Sequence, residues 1–96
     1  MIRHVVMYKL KEQSQNCSSK LEEMFQSMRG KIPVIRGLET GSDYVKSERS
    51  FDVVLITTFD NEEDFNCYLE SEYQVNVVKP YVKKVVEQSK SVDYEF

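Results

Sequence analysis

Phe51-Asp52-Val53-Val54-Leu55-Ile56-Thr57-Thr58-Phe59 is the stretch on which the fold turns. It is β-branched and aromatic, with apolar side chains at both parities, so it reads as a strand covered on both faces. Phe51, Val53, Leu55 and Phe59 project to one side, Val54 and Ile56 to the other. Such a strand needs two covers, and the rest of the chain can be read for what supplies them.

At the start of the chain, residues 2–10 alternate. Ile2, His4, Val6, Tyr8 and Leu10 face one way, while Arg3, Val5, Met7 and Lys9 face the other, which is again a strand. A polar stretch, Glu12 to Asn16, precedes Ser19-Lys20-Leu21-Glu22, the S-x-x-E form of a capping box at a helix start. Leu21, Met24, Phe25 and Met28 make an i, i+3, i+4, i+7 stripe, stopped by Gly30 and Pro33. Leu38 and Thr40 mark a short strand ending at Gly41, and a polar run from Ser42 to Ser50 leads into the central strand.

Downstream of Phe59, Asp60-Asn61-Glu62-Glu63 supplies a cap and first-turn carboxylates for a helix bearing Phe65, Tyr68 and Leu69. Val75, Val78, Val82, Val85 and Val86 keep helical spacing. Pro80 lacks a backbone donor, so two helical pieces are expected, with Pro80 in the first turn of the later one. Val92, Tyr94 and Phe96 alternate with Ser91, Asp93 and Glu95 in a last strand.

The order β-α-β-β-α-β is that of an α+β, ferredoxin-like fold: a four-stranded antiparallel sheet with both helices on one face. Val5, Met7, Val54 and Ile56 then share a second apolar face that no remaining segment can cover. The expected cover is a second copy of the chain, sheet against sheet, in a two-fold homodimer.

Ninety-six residues hold one core and hence a single domain, 1–96, and 13 basic against 16 acidic residues leave a charge of 13 − 16 = −3. Mild acidity, with no basic cluster beyond Lys83-Lys84, argues against nucleic-acid and anionic-membrane partners. No stretch is apolar enough to span a membrane, and the N-terminus enters its strand without the features of a signal peptide, so a cytoplasmic protein is expected. Cys17 and Cys67 have no second ligand at metal spacing and read as free thiols. The acidic groups Glu22-Glu23 and Glu62-Glu63-Asp64 read as solvated charge, and no glycine-rich phosphate loop is present. Neither a metal nor a cofactor is expected.

These residues resemble the stress-responsive A/B barrel domain (Dabb) family of dimeric α+β barrels along nearly the whole chain. The resemblance is carried by the opening Ile2 to Lys11, by Ile32-Pro33 with Gly41, and by Val54 to Phe59. Tyr68, Val77-Val78-Lys79-Pro80-Tyr81-Val82 and Val92-Asp93-Tyr94 complete it. It implies a barrel formed by two sheets and a cavity between the sheet and helices of each subunit. In the plant polyketide cyclases of this family, a Tyr at the position of Tyr68 and a His a few residues later form the catalytic pair. Here the family's His-Pro-x-His stretch is replaced by Ser71-Glu72-Tyr73-Gln74, so Gln74 stands where the catalytic His would be. Glutamine does not exchange protons near neutral pH, and the cyclase mechanism loses its central group.

The resemblance places His4 and Tyr68 at one cavity, lined further by Val6, Tyr8, Leu21, Phe25 and Leu55. Each has an ordinary reading as core, and a lone strand histidine among apolar neighbours is ordinarily a hydrogen-bonded structural residue. The functional reading is that buried tyrosines need hydrogen-bond partners, which a polar group on a small hydrophobic or aromatic ligand would supply, and that a neutral His4 could polarise the Tyr68 phenol. The expectation is therefore a non-catalytic binding or stress-associated module. The alternatives are a lyase, cyclase or isomerase acting through Tyr68 and His4 on a polyketide-like substrate, and a purely structural assembly unit.

Overall fold

A computed structural model describes all residues, 1–96. The elements are β1 (Ile2–Leu10), α1 (Ser18–Gln26), β2 (Gly37–Ser42), β3 (Val53–Phe59), α2 (Glu62–Glu70), α3 (Lys79–Val85) and β4 (Val86–Glu95). The four strands form one antiparallel sheet in the order β2-β3-β1-β4, the expected ferredoxin-like arrangement.

The two faces of β3 differ as its sequence demands. Val53, Leu55, Thr57 and Phe59 are buried beneath the helices, while Val54 and Ile56 are half-buried on the outer face. Leu21, Phe25 and Met28 from the α1 region and Tyr68, Val78 and Val85 from the later helices close over Val6, Tyr8, Leu10 and Leu55 in a single core. The outer face carries Val5, Val54 and Ile56, with Met7 42% exposed. Register fixes its rows: Glu39, Ile56, Val5 and Val92 lie side by side, flanked by Gly41-Val54-Met7-Lys90 and Gly37-Thr58-Arg3-Tyr94.

Several local expectations are corrected. Ser19 and Glu22 form no capping box. The chain is already wound as a 3₁₀ turn over Glu12–Cys17 when it enters α1, and no side chain caps the helix. Glu22 instead accepts hydrogen bonds from the Thr40 hydroxyl (2.7 Å) and from Ser42, tying α1 to β2. The helix ends at Gln26, and Met28 is buried from the turn that follows, in which Gly30 takes a φ of 78°.

β3 begins at Val53 rather than Phe51; Asp52 still donates its amide to the Tyr8 carbonyl and accepts from the Asp43 amide, each at 2.8 Å, and its carboxylate accepts from the Leu10 amide at 2.7 Å. Val86 opens β4 instead of ending a helix. β4 is longer than its apolar alternation suggests because β1 templates it from Leu10↔Val86 to Ile2↔Glu95.

Asn61 caps α2 through the Asp64 amide at 2.8 Å, with Glu62, Glu63 and Asp64 in the first turn as expected. Between α2 and α3 the helix widens to π geometry over Gln74–Val78, and the Lys79 amide reaches back to the Gln74 carbonyl. Pro80 follows directly. With no amide to donate, and a ring that crowds the carbonyl four residues back, it favours this wider turn.

Candidate functional site

The site is built where β1 lies under α2. On the inner face of the sheet, antiparallel pairing sets Thr57 of β3, His4 of β1 and Asp93 of β4 side by side. Next to them, Val6 pairs with Ser91 and Tyr8 with Ser89, so a polar strip on β4 borders the buried residues of β1. The inward alternation of β1 delivers His4, and the helical stripe of α2 delivers Phe65 and Tyr68 above it.

His4 is held from two sides. Its Nδ1 hydrogen-bonds the Asp93 carboxylate, and its ring packs against Phe65 at 5.0 Å and edge-on to Tyr68 at 6.1 Å, centroid to centroid. A neutral imidazole donating Nδ1–H to Asp93 presents Nε2 as its acceptor. The histidine side chain is 13% exposed and the Asp93 side chain 41%, so the pair lies at the edge of the core. Beside it opens a cleft of about 460 Å³ bordered by Asp60, Glu62, Phe65, Asp93 and Glu95. Its carboxylates disfavour anionic visitors and leave access to neutral or cationic ones.

Deeper in, Tyr68 is 1% exposed and packs against Phe59 at 5.0 Å; Tyr8 lies against Phe25 at the same distance. Burial pushes the Tyr68 phenol up to about 12, while a hydrogen bond from the Gln74 side chain pulls the other way. Burial raises Tyr8 further, and Tyr68 adds to that shift, which marks the two phenols as near neighbours. At such a pKa only about one Tyr68 in 10⁵ is ionised at pH 7, so the phenol is a hydrogen-bonding group and not a base. The side-chain amide oxygen of Gln74, Oε1, is buried and has no partner. An orphaned acceptor of this kind is what a donor on a ligand would satisfy.

Of the residues singled out from sequence, His4 and Tyr68 are brought into contact, and Val6, Tyr8, Leu21, Phe25, Leu55 and Tyr68 all belong to the one core. Val5, Met7, Val54 and Ile56 lie together on the opposite face of the sheet. The sequence does not by itself place Asp93, Phe65 or the serines of β4 at the site. The opening alternation marks the inner face of β1, but only the β1–β4 register reveals which residue of β4 meets His4.

Comparison with known proteins agrees with this architecture. No curated protein matches the chain. A dimeric ferredoxin-like protein of unknown function from Bacteroides fragilis superposes with a TM-score of 0.86 at 26% identity, over 99% of this chain and 95% of that one. A hydroxynitrile lyase from Passiflora edulis shares the fold at TM-score 0.81 and 19% identity, over 97% and 90% of the two chains. A Dabb family protein from Mesorhizobium loti does so at 0.71 and 20%, over 99% and 95%. The stress responsive A/B barrel domain family matches residues 2–96, and the chain belongs to that family.

Proposed function

We propose that the protein is a homodimeric binding module in which each protomer takes a small, neutral aromatic or hydrophobic molecule at the Tyr8–Tyr68–Gln74 site and performs no proton-transfer chemistry on it. The observation that carries this reading is Gln74: an amide beside a buried phenol, its carbonyl oxygen sealed from water without a partner. Phe65 gives the cleft near His4 an apolar wall, the phenols and the amide offer directional hydrogen bonds, and the carboxylates bordering that cleft favour uncharged or cationic entrants. Pairing of the outer sheet faces is supported by the apolar row Ile56, Val5 and Val92 and by the dimeric state of the Bacteroides fragilis relative.

A thermal-melting screen against neutral phenols and aromatic ketones tests the binding reading. A compound present at about 100 times its Kd stabilises the fold by about 2.7 kcal/mol. Its effect should vanish in Tyr68→Phe and Gln74→Leu variants that themselves melt cooperatively. A screen in which no compound moves the transition would contradict the reading.

A second reading is favoured by one feature, the carboxylate that orients His4. If His4 and Tyr68 catalyse a lyase, cyclase or isomerase step, Asp93→Asn should abolish turnover of a bound compound while leaving its affinity intact. Unchanged turnover, or none in the parent protein, would remove that alternative.

A further inference from the structure

The Tyr8–Tyr68–Gln74 site is closed as it stands. Tyr68 is 1% exposed and the Gln74 amide oxygen is sealed from water, so a molecule reaches either only if something moves. The chain that carries Gln74 is where motion costs least. α2 ends at Ser71, whose ψ of 144° is extended, and the π turn Gln74–Val78 replaces ordinary helical bonding ahead of α3. Beyond it, Pro80 has no amide to return to the Asn76 carbonyl four residues back. A helix broken on one side and widened on the other has less regular bonding to lose, and hinges form at such element ends.

Packing along this segment is equally uneven. Glu72, Val75, Asn76 and Val77 are exposed, while Val78 is buried in the core and pins the far end. Apart from the Gln74 amide at Tyr68, one side-chain hydrogen bond joins residues 72–78 to a neighbouring element, from Tyr73 to Ser27 at the end of α1, 2.6 Å long. The Ser27 hydroxyl gives its only proton to the Met24 carbonyl at 2.5 Å, so the Tyr73 hydroxyl is the donor.

We infer that Glu72–Val77 is a gate, hinged at Ser71 and Val78 and latched by the Tyr73 hydroxyl on Ser27. When the latch parts, the segment swings outward and carries the Gln74 amide off Tyr68, which opens the phenol to an entering molecule. On closing, Gln74 brings its amide oxygen back to a donor on that molecule. Tyr73 and Gln74 are adjacent in the chain, so latch and amide move together. Tyr73 therefore acts on binding through Gln74, without touching the ligand.

The inference rests on the binding site proposed above, and hydrogen exchange tests it without a ligand. In the full chain, the amides of Val75–Lys79 should be protected at least about tenfold less than those of β1. Urea below the unfolding transition should leave their rate unchanged, since a local opening exposes little surface. Tyr73→Phe should quicken them about fivefold, the effect of one hydrogen bond, with β1 and β3 as in the parent. Ser27→Ala removes the same bond from the other side and should do likewise. Protection of Val75–Lys79 equal to that of β1, or latch variants that quicken every amide alike, would overturn the gate. Saturating 1-naphthol, a neutral phenol, should slow the exchange of Val75–Lys79 and should associate about fivefold faster with Tyr73→Phe. Fast local exchange in a protein whose melting neither 1-naphthol nor any phenol of the thermal screen shifts would leave the gate standing and overturn the binding reading. A phenol that raises the melting temperature while Val75–Lys79 exchange with the core would leave the site standing and overturn the gate.

Discussion

Thr57 has a hydroxyl sealed from water with no hydrogen-bond partner, on a residue with no exposed surface, directly across from His4. Such a group costs desolvation and returns nothing, so Thr57→Val should raise stability by about 1 kcal/mol in urea denaturation; a loss would mean that the hydroxyl is engaged. Tyr68 makes a pH prediction with a definite sign. Its phenol sits near 12 in the folded protein against about 10 when unfolded, so the neutral form that folding favours contributes fully below pH 10. That contribution is lost as pH rises toward 12, at about 1.4 kcal/mol per unit. Tyr68→Phe should flatten the decline in stability between pH 10 and 11.5, and an unchanged slope would contradict the assignment. Local apolar patterns turn His4 and Tyr68 toward the core, and the family resemblance is what sets them at one cavity. Asp93 is marked by neither, since its meeting with His4 depends on pairing between the two ends of the chain.

The same distinction between local and distant signals holds among the elements. The stripe of α1 as far as Phe25, the cap of α2 and the alternation of β1 are written in neighbouring residues, and the structure follows them. The Ser19–Glu22 spacing looked equally local, yet Glu22 is taken by Thr40 and Ser42 across the sheet, and distant hydroxyls win where the preceding 3₁₀ turn leaves no cap to fill. Glu22→Ala should therefore cost about 1–2 kcal/mol, more than an exposed helix position would, because it unfastens α1 from β2. A denaturation midpoint within error of the parent's would restore the view of Glu22 as solvated charge. The last strand was legible only at its apolar end. Gln88, Ser89 and Lys90 carry no alternation because both faces of β4 are exposed there, and length is imposed by β1.

At the scale of the molecule, β3 poses the question and the protomer answers half of it. Its inner residues are roofed by helices, no helix lies over the outer ones, and no helix in the chain is long and apolar enough to cross a membrane. A charge at the centre of the outer face should separate the copies without unfolding them: Ile56→Glu is expected to weaken association at least about a hundredfold and leave far-UV circular dichroism unchanged. The most direct measurement is sedimentation equilibrium of the parent protein at micromolar concentration. The account predicts a particle of twice the 11.3 kDa protomer mass that Ile56→Glu reduces to one. A parent protein that sediments as a monomer would contradict it.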